Sequence, residues 1–259
     1  MKNCFEELVE LMRRLRGPDG CMWDRQQTHE SLKPYLIEEA YEALAAIDER
    51  NADKLKEELG DVLFQVIFHA QIANEQGNFD IYDVIRQVCQ KMIRRHPHVF
   101  GQVKVSDTQE ILANWEQIKQ AEKKPGEASV LSGVPPQLPA LLRAHRVQEK
   151  AARVGFNHQS TEQAFQKLRE ELGEFEAAVR QNNQEDMEME MGDLLFSLVN
   201  VARFLEVNPE EALRKTIMKF ISRFQYIEEQ AAQAGIQLKD MALEEMDELW
   251  EQAKKVSSK

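Results

Sequence analysis

The chain has 259 residues, 42% hydrophobic and 30% charged, with a net charge of −12. That length admits one domain or two, and the composition is that of a globular protein with much charged helix surface. The negative balance opposes non-specific binding to nucleic acid or anionic membrane, so a phosphate-bearing ligand would need locally placed cations and metal.

Apolar positions Phe5, Leu8, Leu11, Met12 and Leu15 predict a helix over 3–16, ended by Gly17-Pro18. A loop from Gly17 to Ser31 follows, in which Trp23 reads as packing rather than chemistry. Pro34 opens a helix reaching about Arg50. Its partner runs from Asp53 to about Asn74, with Val62, Leu63, Val66, Ile67 and Ala70 as the expected core stripe. Gly77-Asn78 breaks the chain, and Asp80 caps a third long helix toward Arg95, which His96-Pro97-His98 stops. Those two histidines have no second ligand pair nearby and do not read as a zinc site. A further helix over about 108–123 carries Trp115.

Residues 125–139, rich in Pro, Gly and Ser, read as a linker between a domain over 1–124 and another over 140–259. The second half repeats the plan. A helix at about 140–153 leads to Gly155-Phe156-Asn157, and Ser160 or Thr161 caps a helix reaching about Gln181. Its partner runs over about 185–206, Asn208-Pro209 opens a long helix ending near Gly235, and the last helix spans about 242–255. No alternating stretch outweighs this pattern, so the fold class is all-α, with two tandem helical domains.

The repeat is sharpest in its acids. Glu38, Glu39, Glu42, Glu58 and Asp61 recur as Glu170, Glu171, Glu174, Glu190 and Asp193, at the fixed offset of 132 that separates Glu38 from Glu170. Glu39 and Glu42 are three apart, as are Glu58 and Asp61, so each pair projects from one helix face. Glu42 and Glu58 lie eight residues either side of position 50, and Glu39 and Asp61 lie eleven. In an antiparallel hairpin that turns there, residues equidistant from the turn come level, roughly 12–17 Å from it at 1.5 Å per residue. The second copy has the same symmetry about position 182. Four carboxylates facing one another repel, and a hard divalent cation with oxygen ligands relieves that repulsion.

Other residues repeat with them. Gly60 and Gly192 sit inside helices where glycine costs about 1 kcal/mol against alanine, which points to close approach of another backbone or a ligand. Lys91 and Arg95 correspond to Lys219 and Arg223, and Trp115 to Trp250. Lys and Arg one turn apart can clamp a polyphosphate or simply form a solvated basic face. No GxxxxGK[ST], GxGxxG or GxSxG pattern is present, so P-loop, dinucleotide-binding and nucleophile-elbow readings lack support. Cys4, Cys21 and Cys89 form no CxxC pair, as expected of reduced thiols in a cytoplasmic protein. Acids stand where a signal peptide is apolar, and no run approaches the ~18 apolar residues of a membrane span.

EExxE followed by ExxD on an all-α hairpin resembles the MazG nucleoside triphosphate pyrophosphohydrolases. Cys21-Met22-Trp23-Asp24, Gln27-Thr28-His29, Arg94-Arg95-His96-Pro97-His98-Val99-Phe100 and Trp115-Glu116-Gln117-Ile118-Lys119 extend the likeness to the two-domain bacterial form, over nearly the whole chain. The resemblance implies the all-α NTP pyrophosphatase fold and Mg²⁺-dependent hydrolysis of a nucleoside triphosphate to a monophosphate and pyrophosphate, with Mn²⁺ as a substitute. It implies Glu171, Glu174, Glu190 and Asp193 as metal ligands in the second half and Glu39, Glu42, Glu58 and Asp61 in the first. It makes Glu170 or Glu38 the proton acceptor, and Lys167, Lys219, Arg223 and Trp250, with Lys91, Arg95, Trp115 and Lys119, the substrate contacts. A homodimer is expected because related hairpins complete their bundles by pairing. Met22 departs from the family's usual Pro, and Asn157-His158 from its Asp-Trp, which bears on local loop structure only. Lys167 precedes Glu171 by one turn, whereas Tyr35 holds the matching place in the first half, so the second half is expected to carry more of the turnover. A non-catalytic nucleotide sensor or partner-binding protein and a narrower dUTPase-like enzyme remain as alternatives.

Overall fold

A computed structural model describes residues 4–122 and 129–256. Those residues form twelve α-helices, one 3₁₀ turn and no strand. The chain divides into two compact units, residues 1–123 and 124–259.

The first unit runs α1 (Cys4–Arg16), α2 (Met22–Gln26), α3 (Lys33–Asp48), α4 (Ala52–Glu75), α5 (Ile81–Arg95), α6 (Pro97–Phe100) and α7 (Thr108–Ala121). Val9 and Met12 of α1 meet Leu32, Ile67, Phe68, Ala70, Ile72 and Ile81 in one buried cluster. At about 1.5–3 kcal/mol for each fully buried large side chain, this cluster anchors the end of the α3/α4 hairpin remote from its turn. Ala43 and Ala46 are buried along α3, where small side chains let α4 lie close. The hairpin turns through Arg50 in the left-handed region (φ 52°), and the Asn51 side chain caps α4 by accepting from Lys54 N at 3.1 Å.

The loop after α1 is more ordered than its Gly and Pro content predicts. It contains the short α2, and a Cβ added to Gly20 would lie 2.1 Å from the Leu15 carbonyl oxygen, so only glycine passes there. Buried Arg16 ties this loop to α4. Its guanidinium donates to Glu75 at 2.7 Å and to the carbonyls of Asp24 and Gln27, and lies 5.4 Å from the Phe68 ring centre. His29 stacks on His69 with their Nδ1 atoms 2.8 Å apart. His96-Pro97-His98 ends α5 as expected, but Pro97 at once opens α6, because a first-turn residue needs no N–H.

The second unit runs α8 (Ala140–Arg153), α9 (Thr161–Gln181), α10 (Gln184–Phe204), α11 (Pro209–Ala234), the 3₁₀ turn Leu238–Asp240 and α12 (Leu243–Val256). Ser160, not Thr161, caps α9, accepting from Gln163 N. The α9/α10 hairpin turns through Asn182 in the left-handed region (φ 54°), 132 positions after Arg50, so the two hairpins pivot at matching places. Helix α8 crosses α10 and α11, and Gln148 of α8 donates to the Phe196 carbonyl at 2.8 Å.

The expected core stripe of α4 needs one correction. Ile67 and Ala70 are buried, but Leu63 (39% exposed) and Val66 (37%) are not. The apolar face of α4 is wider than the surface its own unit covers. Leu36, Ile47 and Leu59 share this exposure, as do Val179, Met191, Leu195 and Phe196 of the second hairpin. No helix among the described residues is long and apolar enough to cross a membrane, and the three cysteines are exposed and free.

Candidate metal and phosphate site

In the first unit, Glu39 from α3 and Glu58 and Asp61 from α4 present carboxylate oxygens that all lie within 4.8 Å of one another. This is the convergence that equal distance from the turn requires. Glu42 lies outside that trio but close enough for its charge to act on it. Burial, then the charges of Asp61 and Glu42, push the Glu39 carboxyl above the ordinary glutamate range. Burial, then Glu42 and Glu57, does the same to Glu58. The nearby Gln65 amide acts on Glu39 in the opposite direction.

In the second unit the converging trio is Glu171 and Glu174 from α9 with Glu190 from α10, again within 4.8 Å. Asp193, one turn beyond Glu190, is exposed and outside this trio. Partial desolvation, then the adjacent Glu171, raises Glu174, which remains exposed. Lys167 reaches both Glu170 and Glu171 at 2.7 Å, and these two bonds push its own pKa up. Glu170 is thereby held beside the trio as an exposed carboxylate, while its counterpart Glu38 is exposed on α3. Both trios offer oxygen donors alone, which fits a hard divalent cation rather than one that prefers nitrogen or sulfur.

The expected cations sit differently in the two units. Arg95 donates to Glu122 at 2.5 Å and Arg94 to the same carboxylate at 2.6 Å, holding Glu122 down at about 2. Arg95 is therefore already engaged, while Lys91, one turn earlier, is half-buried. In the second unit Arg223 lies 5.4 Å from the ring centre of Trp250, and its buried Nε has no partner among the described residues. Lys219 is exposed on the same helix. Trp250 packs against Phe220 at 5.1 Å, and Trp115 is half-buried beside His96 at 6.3 Å. The side chain of Lys119 lies outside the described residues. Gly60 and Gly192 meet nothing among the described residues within 4 Å of an added Cβ, so the close approach that their recurrence implied is not made within either unit's described residues.

Sequence reasoning missed two residues here. Gln65 could have been found, since it lies one turn after Asp61 on the same face of α4. Glu122 could not, because nothing local signals its pairing with a helix 27 residues earlier.

A carboxylate cluster built into each of two repeated hairpins defines an all-α protein with two oxygen-only acidic sites. The comparisons narrow it: the model of the MazG nucleotide pyrophosphohydrolase domain matches residues 27–100 and 159–227. A Thermotoga maritima protein named nucleoside triphosphate pyrophosphohydrolase/pyrophosphatase MazG is 52% identical over 96% of this chain and 95% of its own. An Escherichia coli (strain K12) protein named nucleoside triphosphate pyrophosphohydrolase is 43% identical over 98% of each. A solved MazG-related protein from T. maritima is 29% identical, covering 44% of this chain and 98% of its own, with a TM-score of 0.39. The chain belongs to the MazG family.

Proposed function

We propose that this chain is a Mg²⁺-dependent nucleoside triphosphate pyrophosphohydrolase, adding water across the α–β anhydride to release a nucleoside monophosphate and pyrophosphate. The observation that carries the reading is an acidic trio on facing helices in each hairpin, drawn from acids that recur at an offset of 132, in a chain whose relatives bear that activity in their names. Glu171, Glu174 and Glu190 would hold the cation in the second unit, with Asp193 one turn away, and Glu39, Glu58 and Asp61 with Glu42 in the first. A bound Mg²⁺ would supply charge neutralisation for the phosphates and orientation for the attacking water.

The chain's own residues supply the rest. Glu170, an exposed carboxylate against the trio, is placed to take the water's proton, and Glu38 has that place in the first unit. Lys167 and Lys219 bring positive charge toward the phosphates, and Arg223 keeps its guanidinium on the Trp250 face, where a base can also stack. Lys91, Arg95, Trp115 and Lys119 are the corresponding groups of the first unit. A Mn²⁺ ion, with similar oxygen chemistry, would substitute. The sugar and base meet no discriminating group in this set, so broad use of ribo- and deoxyribonucleotides follows. We further infer a cytoplasmic homodimer.

The second unit carries more of the turnover. Its trio has Lys167 alongside, whereas Tyr35 fills that position in the first unit. Removing a charged hydrogen bond costs about 1.5–3 kcal/mol, or roughly 10- to 100-fold. Pyrophosphate release from a panel of ribo- and deoxyribonucleoside triphosphates with Mg²⁺ tests the activity, and tight binding without release would point instead to a sensor. On the best substrate, Glu171→Ala is expected to lower turnover at least ~10-fold more than Glu39→Ala. Equal losses would refute the asymmetry.

A further inference from the structure

Gln27-Thr28-His29 supplies no ligand to the carboxylate sites, yet it makes a contact across the first unit. His29, between α2 and α3, and His69, on α4, are both half-buried, and their Nδ1 atoms lie 2.8 Å apart. That is hydrogen-bond distance, so one hydrogen lies between two ring nitrogens. The Nε2 of His69 is buried, with no hydrogen-bond partner among the described residues. At 132 positions later the second unit has Thr161 and Val201 in place of the two histidines.

Two neutral imidazoles hold two hydrogens on four nitrogens. One lies in the Nδ1 contact. The other belongs on the Nε2 of His29, which leaves the buried Nε2 of His69 bare, because an orphaned buried N–H is rarer than an orphaned acceptor. A third hydrogen has no good place. Either His69 Nε2 carries one, as a buried donor with no acceptor, or both Nδ1 atoms do, and two N–H groups meet head to head. Burial, then the charge of His29, accordingly hold His69 below the ordinary histidine range. The charged groups of the surrounding elements are engaged elsewhere. Arg16 of α1 is bonded to Glu75 of α4 and to the Asp24 carbonyl, Arg25 of α2 to the Pro18 carbonyl, and Asp83 of α5 to Arg86. Asp24 and Glu30 before α3 and Lys33 at its start do not act on His69, whose electrostatic neighbour among the described residues is His29.

We propose that His29 and His69 form a pH-sensitive latch of the first unit, which fastens the segment between α2 and α3 to α4 while the pair is neutral and releases it when the pair takes up a proton. A histidine held below its unfolded value of 6.5 contributes its stability in full above that value and loses it as pH falls through the lowered folded value. The segment leads through buried Leu32 into α3, and Trp23 of α2 packs edge-on against Tyr35 of α3 at 5.8 Å. Release therefore loosens the approach to the helix that carries Glu39. The second unit, with Thr161 and Val201, has no such latch, and none of this depends on a bound metal.

The test is amide hydrogen exchange of the full chain in EDTA at pH 7.5 and 5.0, with each rate taken relative to the intrinsic rate at that pH. It is read at Arg25, Gln27, Leu32 and Lys33, whose N–H groups are bonded within the segment. In the parent their protection is expected to fall at least ~5-fold on acidification, the shift that one unpaired buried polar group produces. His29→Thr, His69→Val and the double variant, which installs the second unit's pair, are each expected to lack that fall. Glu39 and Glu58, raised by burial, act in the opposite sense and are present in every variant, so they do not produce the difference. Equal protection at the two pH values in the parent, or a parent-like fall in the variants, overturns the proposal. Should the variants not fold, nitrogen-15 spectra of the parent's histidines decide: His69 is expected as the Nδ1–H form at pH 7.5 with a midpoint below 6.5, and a midpoint at or above that value overturns the latch.

Discussion

At the scale of single residues, the site stores electrostatic tension that a cation would release. Glu58, buried, and Glu174, partly desolvated, are raised above the ordinary glutamate range because lost hydration and neighbouring carboxylates disfavour their charge. A carboxyl raised in the folded state favours folding when protonated. Its contribution is therefore full below the unfolded value near 4.5 and is lost as pH rises through the raised folded value. At neutral pH the metal-free protein thus holds these glutamates at a cost. Glu58→Gln and Glu174→Gln should each raise the thermal midpoint in EDTA at pH 7.5 and flatten its decline between pH 4.5 and 7. Each should also shrink the further rise that Mg²⁺ produces, since a ligand is lost. Scanning calorimetry with EDTA and with Mg²⁺ measures both. A Gln variant less stable than its parent in EDTA would show that these acids serve the fold rather than the ligand.

At the scale of elements, the hairpin turn decides where the carboxylates meet. Both turns place a residue in the left-handed region, where a Cβ crowds the following carbonyl by about 1–2 kcal/mol; the short polar side chain of an Asn, as at 182, offsets part of that by local hydrogen bonding, and the long side chain of Arg50 does not. Arg50→Asn should therefore stabilise the first unit by roughly 0.5–1 kcal/mol in urea denaturation, without moving the trio. A loss of stability would mean that the Arg50 side chain makes a contact worth more than the strain. These turns also explain how much was legible in the chain. Glu39, Glu58 and Asp61 could be brought together on paper because hairpin geometry depends only on counting from position 50. The clamp of Arg94 and Arg95 by Glu122 could not, since it joins the end of α5 to the residue just beyond α7 across a connection with no periodic signal. The α2 helix was hidden for a related reason: its five residues are too few for a hydrophobic period.

At the scale of the whole molecule, the misread stripe on α4 becomes informative. Periodicity shows which residues share a helix face, but not whether the same chain supplies a cover for it. Leu63 and Val66 on α4, and Leu195 and Phe196 on α10, continue apolar faces that run beside the trios and remain exposed in the single chain. Gly60 and Gly192, each preceding an acid of the repeat, leave open backbone on the same hairpins. Two-helix hairpins with wide uncovered apolar faces gain most by pairing into four-helix bundles, and a second copy supplies an identical hairpin. Burying one leucine is worth about 1.5–3 kcal/mol, so placing a charge there in both copies should weaken association at least ~10-fold per site. Sedimentation equilibrium should then find two copies in the parent and a shift toward one in Leu63→Glu and Leu195→Glu, while far-ultraviolet circular dichroism keeps the same helix content because both positions are partly exposed in the lone chain. A parent that sediments as one copy at micromolar concentration would leave these faces needing another cover.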